Sequence, residues 1–156
     1  MARDAVIAPC GKYFTGDYRM DAEHERRLIF SLRNHEGFIN GKAFSDAHLE
    51  SLSENTVCLN LENAQVTDLG LQRLPSLIKL RCIDLDNTRI TNLGMNELVR
   101  FPNLEELWIE STEVTDTGIL ALQGNEKLRF LSIVDCDVSD GSLDKLEAAI
   151  PGIYIH

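Results

Sequence analysis

The sequence predicts an α/β solenoid, in which short strand–helix units stack along one parallel sheet. The first observation is a repeat with a period of 24 residues: segment 59–71 returns at 83–95, 107–119 and 131–143. A fixed period of 20–50 residues is typical of stacked supersecondary units. The second is strict apolar–polar alternation at the start of each copy, which indicates a strand with one buried face. The third is a hydroxyl residue followed by Asp or Asn, which favours the start of a helix.

The strand positions form columns when the copies are aligned. The inward columns are Leu59, Ile83, Leu107 and Leu131, then Leu61, Leu85, Ile109 and Ile133, and finally Val66, Ile90, Val114 and Val138. Small residues (Ala64, Thr88, Thr112 and Cys136) occupy the position after each strand and predict a tight turn. Leu71 and Leu74, with their counterparts in later copies, have the spacing of a helix face. Each unit should therefore run strand, turn, short helix and return.

The pattern L-x-L-x-x-(small)-x-(V/I)-T-D-x-G-L resembles the leucine-rich repeat family, in particular its cysteine-containing, ribonuclease-inhibitor-like subclass. The resemblance covers residues 57–155, although only Cys136 keeps the usual Asn or Cys at the small position. It implies a solenoid of about five repeats of 22–25 residues with a parallel concave sheet. By fold-level analogy it also implies protein–protein contacts.

Residues 1–36 are expected to form an arm and a capping helix, and residues 37–156 the repeats, within one structural domain. The capping helix is predicted over 21–34, where acidic residues crowd the start of an amphipathic segment. A fifth, atypical copy is predicted at 41–52, with its strand at 38–40. Residues 150–156 predict a last strand, whose open edge can pair with another chain and give weak dimerisation.

Composition excludes several classes of function. The net charge of −10 argues against nucleic acid and anionic membranes as partners, because both require clustered Lys and Arg. No apolar run approaches 18 residues and no signal peptide is recognisable at the start, so we expect a cytoplasmic protein. No phosphate loop, catalytic triad or metal-binding spacing appears, so we expect neither an enzyme nor a cofactor.

The four cysteines form no C-x-x-C or Cys–His motif. Cys58 and Cys82 are 24 residues apart and should therefore be neighbours on adjacent strands. A disulfide or a shared soft metal is conceivable there, but two reduced thiols are expected in a cytosolic protein.

The twelve outward strand positions, which we call the outer face, are the candidate binding surface. They contain five acidic residues, no Lys or Arg, and the chain's single tryptophan, Trp108. The predicted partner-binding residues are Asn60, Glu62, Asp84, Asp86, Glu106, Trp108, Glu110, Phe130, Ser132 and Val134. An exposed tryptophan among carboxylates predicts a binding centre for a basic protein. The alternative is that the acids keep a monomer soluble while the N-terminal arm covers Trp108.

The favoured function is a non-catalytic interaction module for a basic protein, with an inhibitor or immunity-type role as one form. The alternative is an adaptor or substrate-receptor subunit in which residues 1–36 dock a second protein. An enzyme is the least supported class, because abundant acids alone do not make an active site.

Overall fold

The computed structural model describes residues 35–156 as a single sheet flanked by short helices. The strands are β1 (Phe38–Asn40), β2 (Cys58–Asn60), β3 (Cys82–Asp84), β4 (Glu106–Trp108), β5 (Phe130–Ser132) and β6 (Tyr154–Ile155). The helices are α1 (Asp46–Leu49), α2 (Asp68–Gln72), α3 (Asn92–Leu98), α4 (Asp116–Ala121) and α5 (Asp140–Ala149), and a 3-10 turn at Leu122–Gly124 follows α4.

All six strands are parallel and pair in chain order. Leu59 pairs with Ile83 and Ile83 with Leu107, which is the predicted 24-residue register. The strands predicted before the first clear copy and at 150–156 are both present, as β1 and β6. The parallel strand–turn–helix solenoid is therefore confirmed, whereas the capping helix predicted at 21–34 lies outside the described residues.

The core lies between the sheet and the helices. Leu59, Leu61, Val66 and Leu71 are all fully buried, as are most of their counterparts in the next two copies. Ile133 and Val138, in the last copy, are only partly buried. Burying one such side chain stabilises the fold by about 1.5–3 kcal/mol. These columns therefore make the main stabilising contribution of every repeat.

The chain leaves each of four strands through a left-handed residue. Asn63, Asn87, Ser111 and Asp135 have φ between 52° and 60°. Asn and Asp tolerate this conformation better than other non-glycine residues, because their short polar side chains bond locally. Asn, Ser or Asp recurs at this position in the sequence, and this recurrence could have predicted the left-handed residue of the turn.

A second recurring device joins neighbouring repeats on the helix side. Asp68 accepts hydrogen bonds from Thr91 N (2.8 Å), Thr91 Oγ1 (2.7 Å) and Gly94 N (3.0 Å) in the following repeat. We call this series the Asp–Thr ladder; its acceptors are Asp46, Asp68, Asn92 and Asp116. Gly94 has no side chain because a Cβ there would lie 2.5 Å from Asp68 Oδ1. The T-D-x-G motif thus does more than start helices: it connects each helix to the next.

Helices begin at the predicted positions in all four copies, but the predicted capping bond is present in only two of them. Thr67 and Thr91 accept hydrogen bonds from Leu69 N and Leu93 N, whereas Thr115 and Ser139 make no such capping bond. Within 35–156, no helix is long and apolar enough to cross a membrane.

Candidate functional site

The outer face consists of two rows of side chains on the strands and a third row just beyond them. The first row, at the strand starts, contains Cys58, Cys82, Glu106 and Phe130, and it is flanked by Phe38 on β1 and Tyr154 on β6. The second contains Asn60, Asp84, Trp108 and Ser132. The third contains Glu62, Asp86, Glu110 and Val134, where the strands give way to turns. The structure therefore brings all ten predicted site residues onto one surface.

The expected exposure of this surface is wrong for the first two rows. Trp108 is only 8% exposed and Asp84 6%, and Asn60, Glu106, Phe130 and Ser132 are also buried. The third row is half-buried. Alternation along a strand reveals which way a side chain points, but not how completely it is covered.

Aromatic rings provide part of that cover. The ring centroids of Trp108 and Phe130 are 4.6 Å apart, and those of Phe130 and Tyr154 are 5.7 Å apart. Both distances are in the range of favourable aromatic pairs. Within the described part of the chain, the buried indole nitrogen of Trp108 has no hydrogen-bond partner. Trp108 is thus a packed side chain with an unsatisfied donor, and not the exposed anchor that the sequence predicted.

The carboxyl groups of the second and third rows are hydrogen-bonded to strand ends. Asp84 Oδ1 accepts from Asp86 N (3.0 Å), and Asp86 Oδ1 accepts from Glu110 N (2.7 Å). Glu110 in turn accepts from Ser132 Oγ, and His156 Nδ1 lies 4.0 Å from its carboxylate. Lys42 forms an ion pair with Glu62. We call the four acids Glu62, Asp84, Asp86 and Glu110 the carboxyl row. Three of them contact a neighbouring repeat, whereas the bond to Asp84 stays within its own repeat.

Two acids of the carboxyl row, Asp84 and Asp86, hold protons more tightly than ordinary aspartates. Burial raises the pKa of Asp84 to about 6, and the nearby charges of Glu62 and Glu110 add to the shift. Burial also raises the pKa of Asp86 to about 8, with the adjacent Asp84 as the next cause. Like charges held close together in a partly desolvated place cannot all ionise cheaply. At neutral pH the outer face is therefore less negative than its count of acids suggests.

Cys58 and Cys82 are joined by a disulfide across β2 and β3, with their Cα atoms 4.7 Å apart. The expectation of two reduced thiols is therefore wrong for this structure. The register makes the bond possible, because the 24-residue repeat places the two residues as direct partners. Cys136 is the one free cysteine of the described residues. It is partly buried, and its Sγ lies 3.0 Å from Ile109 O.

Residues 35–156 contain no cluster of three or more His, Cys, Asp or Glu that could hold a metal ion. The soft metal considered for Cys58 and Cys82 therefore has no further ligands within this part of the chain.

No protein-family model and no curated protein matches the sequence. Among solved structures, an internalin (inlF) from Listeria monocytogenes is 15% identical over 65% of this chain, with a TM-score of 0.45. The chain covers 34% of that protein. An internalin C2 from the same species is 15% identical over 77% of this chain and 80% of its own, with a TM-score of 0.39. These likenesses are too distant to bear on function. The description of the fold as leucine-rich-repeat-like rests on this chain's own strands, turns and helices, and the ribonuclease-inhibitor-like subclass stays a prediction.

Proposed function

We propose that this chain is a non-catalytic protein-interaction module whose outer face binds a basic partner. The observation that carries the proposal is the excess of carboxyl groups in the carboxyl row. Within the described residues, the recorded ion-pair contacts of its four acids come from Lys42 and His156 alone. A lysine or arginine from a partner would supply the missing positive charge and would favour the ionised form of Asp86. An inhibitor or immunity-type protein is one role that such a surface fits.

The burial of Trp108 changes which residues a partner would meet first. Glu62, Asp86, Glu110 and Val134 are half-buried, and Asp135 is exposed beside them. We therefore place the first contact on this third row. Trp108 and Phe130 lie beside this row on the same face, and their rings contact each other across β4 and β5.

Location remains a proposal, and the cysteines bear on it. A cytoplasmic protein usually keeps its thiols reduced, whereas a stable disulfide is typical of oxidising compartments. We retain the cytoplasm as the proposed location. A disulfide that forms and is reduced again as the redox state changes would be compatible with a cytoplasmic location.

The test compares wild type with a Glu62→Gln/Glu110→Gln double variant, which removes two charges from the half-buried row and keeps the side-chain shape. The matched control is Glu54→Gln/Glu126→Gln, because both residues are exposed on loops outside the outer face. Each purified protein is used as bait in extract of the native cells, at about 0.1 M and about 0.5 M salt. Each captured protein is then purified and its affinity measured by calorimetry.

We expect a basic protein that binds wild type and control alike, binds the double variant at least about tenfold more weakly, and dissociates at high salt. Equal binding by all three proteins would contradict the proposal. If the partner were lost only on removal of residues 1–36, the adaptor alternative would replace it.

A further inference from the structure

Cys58 and Cys82 are the first residues of β2 and β3, and both side chains are fully buried. They are direct partners in the parallel register, with Cα atoms 4.7 Å apart. Disulfides usually span Cα distances of 4.4–6.8 Å, and the distance between these two residues lies within that range. The repeat therefore places two thiols together that are far apart in the sequence.

The same two strands carry much of the carboxyl row. Glu62 follows β2, while Asp84 ends β3 and Asp86 lies two residues beyond it. In the first row the cysteine pair lies between Phe38 on β1 and Glu106 on β4. A covalent bond at the start of β2 and β3 thus acts on the strands that position the carboxyl groups at their other end.

We propose that Cys58 and Cys82 form a reversible thiol–disulfide pair. The pair controls the rigidity of β2 and β3, and through these strands the rigidity of the outer face. A small disulfide such as oxidised glutathione is the oxidant. One cysteine thiolate attacks it and releases one glutathione thiol. The second cysteine then attacks the mixed disulfide and releases another. Two protein thiols and one small disulfide thereby become one protein disulfide and two small thiols, and a small thiol in excess reverses both steps.

Two consequences follow from the position of the pair. The bond closes a segment of 25 residues, 58–82, and so restricts the unfolded chain more than the folded one. Because neither side chain is exposed, a small thiol can reach the bond only when the surrounding structure opens locally. Reduction of the native protein should therefore be much slower than reduction in denaturant.

Peptide mapping tests the pair directly. Trypsin cuts after Lys42, Arg73, Arg81 and Arg89, which places Cys58 in peptide 43–73 and Cys82 in peptide 82–89. The full chain is refolded from denaturant with mixtures of oxidised and reduced glutathione, free thiols are blocked in acid, and the digest is analysed without reduction. We expect the 43–73 and 82–89 peptides to be linked in oxidising mixtures and separate in reducing ones. Separate peptides in every mixture would overturn the proposal, as would a link that survives excess thiol in denaturant.

Thermal unfolding provides the second readout. The oxidised chain should melt roughly 5–10 °C higher than the reduced chain. Cys136→Ser should keep this difference, whereas Cys58→Ser/Cys82→Ser should abolish it. If the wild-type protein melted at the same temperature in oxidising and reducing mixtures, the bond would have no structural role.

The effect on binding rests on the function proposed above. A lysine-rich peptide of about 20 residues is the probe, and its affinity is measured for the oxidised and the reduced chain. Because the bond preorganises β2 and β3, we expect the oxidised chain to bind at least about threefold more tightly. Equal affinity for both forms would overturn the control of binding. Absence of binding to either form would count against the acidic-face function, while the peptide map still decides the redox pair.

Discussion

The same repeat uses aspartate in two places with opposite results. In the Asp–Thr ladder, Asp116 accepts from Ser139 N (2.6 Å), Ser139 Oγ (2.7 Å) and Ser142 Oγ (2.6 Å), and these bonds lower the pKa of its carboxyl, Ser142 most of all. In the carboxyl row, one recorded hydrogen bond reaches Asp86, from Glu110 N, and burial raises its pKa to about 8. The number of donors that meet each carboxylate, together with its burial, decides the outcome. The comparison teaches that Asp116 has enough donors to stabilise its charge, whereas Asp86, buried and with one donor, does not.

The largest expected effect concerns the buried tryptophan beside the carboxyl row. Trp108→Ala should cost about 3–5 kcal/mol of unfolding free energy, because the ring is buried and packs on Phe130. Trp108→Phe is the control, since it keeps an aromatic ring and should cost clearly less. Urea denaturation measures both. A loss below about 1 kcal/mol for the alanine variant would mean that Trp108 is exposed, as the sequence predicted, and that the outer face is not packed.

The next effect tests the ladder. Asp68→Ala leaves Thr91 N, Thr91 Oγ1 and Gly94 N without their acceptor, at a cost of about 2–3 kcal/mol. Asp140 provides a matched control, because it occupies the same position in the last copy, is exposed, and has no recorded side-chain hydrogen bond within residues 35–156. Asp140→Ala should cost less than about 1 kcal/mol, the contribution of an acid at a helix start. Equal losses in the two variants would show that helix capping alone, and not the ladder, explains the motif.

The sequence predicted the fold of this protein more completely than the environment of its outer face. The columns headed by Leu59 and Leu61 predicted the strands and the core, because a fixed period brings like residues into register. The sequence also placed Asp84, Asp86 and Trp108 on one face. It left open whether Asp84 and Trp108 are buried, because alternation along a strand gives the direction of a side chain and not what packs against it.

Two other outcomes depended on contacts between repeats. Asp68 was interpreted within its own copy, as part of a helix start, whereas its acceptor role involves Thr91 in the next copy. The register predicted that Cys58 and Cys82 are neighbours, but adjacency does not determine whether two thiols are oxidised. Compartment and redox chemistry decide that, and the sequence carries little information on either.

A smaller effect is expected from Asp86→Asn. The folded pKa of Asp86, about 8, lies above the usual value near 4, so the folded state holds a proton that the unfolded state has lost. Stability should therefore fall as pH rises from about 4 to about 8. Asp86→Asn removes this loss and should stabilise the protein by about 1 kcal/mol at pH 8, a value discounted for the partial exposure of the group. At pH 4 the gain should vanish. A variant that is no more stable than wild type at pH 8 would contradict the raised pKa.

The smallest effect is expected in acid from Asp116→Asn. Because hydrogen bonds lower its pKa, Asp116 contributes stability above its unfolded pKa, and this contribution is lost as pH falls below about 4. The amide should fit, since Asn92 holds the same ladder position and accepts from Thr115 N (2.9 Å). Thermal melting between about pH 2 and 5 should show a flatter acid limb for the variant. An unchanged limb would mean that the Asp116 carboxylate gains nothing from its three donors.

The most direct measurement is an NMR titration of the aspartate side-chain carboxyl carbons in the full chain, from about pH 2 to 10. Asp86→Asn and Asp116→Asn provide the assignments. We predict that Asp86 titrates near 8 and Asp84 near 6, while Asp116 titrates below the usual aspartate range, all in one molecule. Titration of Asp86 and Asp116 together near 4 would contradict the claim that the ladder satisfies its acids and the outer face does not.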